Sequence, residues 1–197
     1  MKKINKAARE LFQATIDRIP AGETSCIIDD NPSKNIMALH VERIGSVRLG
    51  PLYSFAHYYK QNGDMMRDPD IIMFRAENGD FFPMSYRQDG LGIDREYIIF
   101  NDAGTGYKIA KRQQADLATF CGLWASNIAD QQSVERVNGR LVFTRAPAPA
   151  VDPGAAFTLT ADPAPVQDTP TLNCSATVAA WLDPDGGLQR AGLIATN

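Results

Sequence analysis

His57 is one of two histidines in the chain, and it stands among Tyr53, Phe55 and Tyr59 at every second position, with Asp64, Asp68 and Asp70 just beyond. Two chemistries suit such a set. A stripe of rings stacks on unpaired bases at about 1–3 kcal/mol each, with Arg48, Lys60 and Arg87 placed to meet phosphates. An imidazole near several carboxylates, with Asp89 and Asp94 further on, suits a divalent cation or a general acid and base. Each pattern also has a purely structural reading. The stripe fits the apolar face of a half-buried strand lying under helices, and the acids fit turn capping. The spacing of the acids lacks the glycine and closing glutamate of a calcium loop, and Gly104-Thr105-Gly106 lacks the lysine of a phosphate loop. Neither histidine has a nucleophile partner recognisable in sequence, so His57 is expected to be a hydrogen-bonded structural residue.

Composition narrows the classes further. The chain has 197 residues, with 20 Lys+Arg against 23 Asp+Glu. Up to Arg145 the balance is 19 against 18, and beyond it 1 against 5, so the body is near neutral and the tail acidic. The basic footprint of a duplex-DNA binder is absent. Cys26, Cys121 and Cys174 are odd in number and far apart, which points to reduced thiols and away from a disulfide framework or a Cys-x-x-Cys site. A zinc site would need nearly every His and Cys in the chain, so no metal or cofactor is expected. No run approaches the ~20 apolar residues of a membrane helix, and a cytoplasmic protein is the expectation.

These residues depend on a scaffold that the periodicities predict. Ile4, Ala7, Ala8, Leu11, Phe12, Ile16 and Ile19 mark a first helix ending near Pro20. Strands follow over Thr24 to Ile28, Ile36 to Ile44, Leu52 to Lys60, Ile71 to Glu77, Phe81 to Gln88 and Glu96 to Asn101. Asn62-Gly63 marks a turn, and Glu77-Asn78-Gly79-Asp80 predicts a type I′ hairpin. Pro83 places its strand at an edge or a bulge. A second helix spans about Arg112 to Gln131, followed by a small hairpin about Asn138-Gly139. The expected fold is α+β: an antiparallel meander of about five to six strands with an N-terminal and a C-terminal helix on one face. Residues 1–145 would form this domain. Residues 146–197, rich in Pro, Ala and Asp, would form a linker or tail with a short helix from Ala176 to Leu182.

The runs Ser54-Phe55-Ala56-His57-Tyr58-Tyr59-Lys60-Gln61-Asn62-Gly63-Asp64-Met65-Met66-Arg67-Asp68-Pro69-Asp70, Pro83-Met84-Ser85-Tyr86-Arg87-Gln88-Asp89-Gly90-Leu91-Gly92 and Trp124 to Gln132 resemble a small bacterial domain family of unknown function, seen in phage and integrative-element proteins. The resemblance covers roughly Ala8 to Gln132 and implies no activity or catalytic residue. It implies a mobile-element accessory protein. The leading expectation is therefore a non-enzymatic binder of an unknown protein partner, using the open sheet face or the loop from Gln61 to Asp70, where Met65 and Met66 offer adaptable contacts. The candidate binding set is Tyr53, Phe55, His57, Tyr59, Asn62, Asp64, Met65, Met66, Asp68, Tyr86, Gln88 and Asp89. Single-stranded nucleic-acid binding through the aromatic stripe is the alternative, and a metal-assisted hydrolase centred on His57 and the Asp64 to Asp70 loop is a third.

Overall fold

Asn5 starts the first helix: its side-chain oxygen accepts from the Ala8 N–H at 2.9 Å, satisfying one of the donors that a helix start leaves open. The computed structural model describes residues 1–30, 36–101 and 106–143. Helix α1 spans Lys6–Ile16 and buries Ala8, Leu11, Phe12 and Thr15, the three-and-four face the sequence predicts. It stops short of Pro20, because Arg18 and Ile19 donate to Thr15 and Ile16 in tighter turns.

Six strands follow as an antiparallel meander whose spatial order equals chain order: β1 Ser25–Ile28, β2 Leu39–Val47, β3 Gly50–Gln61, β4 Asp64–Arg75, β5 Phe81–Gln88 and β6 Ile93–Glu96. β7 Ile98–Phe100 and β8 Tyr107–Ile109 form a separate ribbon, α2 spans Lys111–Gln131, and β9 Val134–Val137 pairs with β10 Arg140–Phe143.

Three expectations need correction. β4 begins immediately after the Asn62-Gly63 turn, so the expected loop from Gln61 to Asp70 is mostly strand. A register shift between Ala56 and Tyr58 absorbs Asp68 and Pro69, which are joined by a cis peptide bond. The predicted strand Glu96 to Asn101 is two pieces. Tyr97 donates to Met84 O and accepts from Ala110 N–H, taking the chain out of the main sheet, beside Pro83, which has no N–H to extend a ladder. Pro83 does sit at a register shift, between Ile72 and Met73 of the neighbouring strand. Finally, Asn78-Gly79 is not a type I′ pair. Only Gly79 has positive φ, at 82°, because Asn78 instead accepts from Asp80 N–H at 3.0 Å and a longer loop closes with the glycine as its bulge. Asn62 with Gly63, and Asn138 with Gly139, do carry two positive φ angles each.

Both helices meet one sheet face. Phe12 of α1 packs on Phe55 at 4.7 Å between ring centroids, while Trp124 and Phe120 of α2 pack on His57 and Tyr86 at 5.4 and 5.7 Å. Leu39, Val41, Ile71, Met73 and Phe81 complete this core. The helices approach closely at Gly122, where an added Cβ would lie 2.4 Å from Asn5 Nδ2. Gly122→Ala is expected to gain nothing in stability, since about 1 kcal/mol of helix propensity is offset by the displaced cap. The gain should return in an Asn5→Ala background, as urea denaturation of the four-member cycle would show. The proposed tail and its Ala176 to Leu182 helix lie outside the described residues.

Candidate binding face

Cross-strand register divides the predicted site residues between two faces. Tyr53, Phe55 and His57 are 9 %, 0 % and 3 % exposed beneath the helices, so none presents a ring to a base. The His57 Nδ1–H donates to Ala38 O at 3.1 Å. Burial, outweighing that bond and one to Met37, holds its pKa down to about 4, so the imidazole is neutral. Tyr59, half-buried, lies on the same face further along β3. Asp68 is buried, and accepts from Gln88 Nε2 at 2.5 Å, while Tyr86 OH donates to Gln88 Oε1 at 2.7 Å. Burial pushes the Tyr86 phenol up. This chain is a satisfied polar network tying β4 to β5.

The other candidates scatter. Asn62 and Asp64 are exposed at the β3–β4 turn. Met65 pairs with Lys60 and Met66 with Tyr59, so successive side chains point to opposite faces and the two methionines form no common patch. Among the described residues no three His, Cys, Asp or Glu side chains converge as metal ligands. His57 and Asp70 sit on opposite sides of the sheet, so the proposed acid–base group is not assembled.

What the structure does assemble is the face away from the helices, which the β7–β8 ribbon covers at one end, where Phe100 meets Phe74. One row crosses five strands as His40, Ala56, Asp70, Arg87 and Asp94, and the next as Glu42, Ser54, Ile72, Ser85 and Glu96. Along the first row runs a ladder of charge. Ser54 Oγ donates to Asp70 Oδ1 at 2.8 Å, Arg67 Nε lies 3.4 Å from Asp70, and Asp89 accepts from Arg67 N–H at 3.0 Å and Arg87 Nε at 2.7 Å. Arg87 then reaches Asp94 at 3.4 Å. Burial raises the Asp70 pKa despite Ser54, Arg67 and Arg87. For Asp89 burial acts upward too, but Arg67 and Arg87 together hold its carboxyl below the usual range. Tyr58, edge-on to His40 at 4.8 Å, has its phenol raised by burial and by Asp70.

A third row, Leu52, Phe74 and Phe82, is apolar. Phe74 stacks on Phe82 at 4.9 Å and meets Phe100 at 6.2 Å, and Phe100 meets Tyr107 at 5.9 Å. Tyr107 is 47 % exposed. This face therefore grades from ion pairs to an aromatic cluster in which Phe74 is buried, at 1 % exposed, and Tyr107 is the exposed ring.

Comparison with known families matches residues 10–134, more than half of the chain, to a domain of unknown function, DUF6908. The chain belongs to the DUF6908 family. No curated protein and no solved structure matches it. The DUF6908 match runs from within α1 to the start of β9, so it spans the sheet and both of its faces. Of the predicted set, only Met65 and Asp89 contribute to the open face of the DUF6908 sheet. Glu42, Ser54, Tyr58, Arg67 and Glu96 were outside it. The signal for them is cross-strand pairing, which requires turn lengths and bulge positions as well as alternation.

Proposed function

We propose that this protein is a non-enzymatic binding protein that docks another protein on the open sheet face. The observation that carries this reading is the set of half-buried apolar side chains Leu52, Ile72 and Phe82, with exposed Tyr107, beside a half-buried ion-pair ladder. Contiguous apolar surface rimmed by polar groups is characteristic of interaction sites. The resemblance to phage and integrative-element proteins supports a role as a mobile-element accessory protein. Nucleic acid suits this face less well. It bears the carboxylates Glu42, Asp70, Asp89, Asp94 and Glu96 against Lys60, Arg67 and Arg87, and phosphates favour the opposite balance.

The test is affinity capture from lysate of the native host, with and without nuclease, using the natural chain and Ser85→Arg. Ser85 is half-buried at the centre of the open face, and a guanidinium there obstructs docking without touching the helix-covered core. A partner that survives nuclease and is lost from Ser85→Arg is the expected result. A partner that disappears with nuclease, or ignores the substitution, would sink the reading.

A further inference from the structure

Asn-Gly pairs occupy turns at Asn62-Gly63, Asn78-Gly79 and Asn138-Gly139. Such a pair carries a chemistry of its own. The backbone nitrogen of the residue after an asparagine can attack the side-chain Cγ, and glycine, with no Cβ, obstructs that approach least. All three asparagines are exposed, so access to water does not separate them.

Hydrogen bonding does. Asn78 is held at both ends of its carboxamide: Nδ2 donates to Asp80 Oδ2 at 3.1 Å, and Oδ1 accepts from Asp80 N–H at 3.0 Å. Asp80 is itself buried and fixed by Lys3 at 3.0 Å and Arg9 at 3.6 Å. The attacking atom is engaged as well, because Gly79 N–H donates to Ala76 O at 2.9 Å. Cγ of Asn78 meets that nitrogen only after all of these bonds to the pair are broken.

The two-residue turns hold nothing comparable. Asn62-Gly63 joins Gln61 to Asp64, and Asn138-Gly139 joins Val137 to Arg140. Among the described residues no hydrogen bond engages the carboxamide of Asn62 or Asn138, or the N–H of Gly63 or Gly139. Arg136 donates to Gly139 O at 2.8 Å, a contact to the carbonyl and not to the nitrogen. Space is open too, since nothing lies within 4 Å of the Cβ position of either glycine.

We propose that Asn62 and Asn138 are sites of spontaneous covalent modification and that Asn78, of the same sequence type, is protected by its bonds. The Gly63 nitrogen loses its proton to solvent base and attacks Cγ of Asn62. The new C–N bond closes a succinimide ring, and the side-chain nitrogen leaves as ammonia. Water then opens the ring at either carbonyl, giving aspartate or, where the main chain now runs through the former side chain, isoaspartate. Asn138 and Gly139 react in the same way. Each event replaces a neutral amide by a carboxylate, and isoaspartate adds a methylene to a turn whose length fixes the register of its hairpin.

The test is peptide mapping of the full chain after incubation in mildly alkaline buffer made with heavy-oxygen water. Asn, Asp and isoaspartate are scored at each site, in native buffer and in guanidinium chloride. In the native chain Asn62 and Asn138 should convert, with the label taken into the product. Asn78 should convert at least about tenfold more slowly, a factor equal to ~1.4 kcal/mol of additional local opening. In denaturant the three rates should converge. Conversion of Asn78 as fast as Asn62 in the native chain would overturn the proposal, as would Asn62 and Asn138 staying intact there while the denatured chain reacts. A native order that persists unchanged in denaturant would overturn it too, because flanking residues and not hydrogen bonds would then set the rates.

Discussion

Gly50→Ala is expected to cost the fold about 4 kcal/mol, from a clash of about 1–3 kcal/mol or more and a backbone penalty of about 1–2 kcal/mol. Gly50 opens β3 at φ +147°, and a Cβ built there would lie 1.9 Å from the carbonyl oxygen of Arg75. That neighbour is backbone at the end of β4, paired into the sheet two residues beyond Met73, and has no rotamer to escape into. Gly45 supplies the comparison: its φ is +150°, yet nothing lies within 4 Å of its Cβ position. Gly45→Ala should therefore cost only the conformational share, about 1–2 kcal/mol. Urea denaturation reads both, and thermal unfolding should fall by about 10 °C for Gly50→Ala. Equal losses at the two positions would mean that conformation alone, and not the close approach of β3 to β4, requires Gly50.

The contrast between these glycines shows what kind of information a sequence holds. A turn-prone Gly after Leu49 is visible in one dimension. That its α-carbon touches a strand 25 residues later is a property of register. The same division runs through the rest of the fold. Strict alternation at Tyr53, Phe55 and His57 identified one strand face, and the three-and-four spacing of Ala8, Leu11 and Phe12 identified a helix face, because both periods are local geometry. The start of β4 escaped notice since Met65-Met66-Arg67-Asp68-Pro69-Asp70 alternates in neither polarity nor size, and its proline sits in a bulge that alternation does not describe. Asn78-Gly79 has the composition of a type I′ turn, but the Asn78 side chain found a better use in Asp80 N–H.

The candidate face lay further from view for the same reason. Asp70, Arg87 and Asp94 become neighbours only through two pairings, and a one-residue slip in either would send a member to the other side. In sequence Asp70 and Asp94 read as loop acids suited to a cation or to acid–base work, and Arg87 as a strand residue suited to a phosphate, with nothing to join the three. Asp68 and Asp70 look equivalent there, yet one is buried against Gln88 and the other anchors the ion-pair ladder through Ser54. The helix side has spent its aromatic and polar groups on the core, and the proposed binding role rests on the opposite side for that reason.

The largest pH effect on stability should come from His57. Its ring is 3 % exposed, edge-on to Trp124, and burial lowers its pKa from an ordinary 6.5 to about 4. Between those values the unfolded chain takes up a proton that the folded chain refuses, so unfolding is favoured increasingly as pH falls. The stability is fully present above pH 6.5, declines through that window, and by about pH 4 is reduced by about 3 kcal/mol. His40 acts in the same direction through its own burial, and Asp70, whose pKa is raised, acts in the opposite one. The His57 share is therefore isolated by difference. His57→Gln keeps a donor for Ala38 O but cannot titrate, so it should be less stable than the natural chain at pH 7 and lose less on acidification. Urea unfolding at pH 7 and pH 4.5 for both chains should give a gap that narrows by about 2–3 kcal/mol. Parallel declines would mean that the imidazole takes up its proton in the folded state without leaving its seat beneath Trp124, and that the core is more polar there than its burial implies.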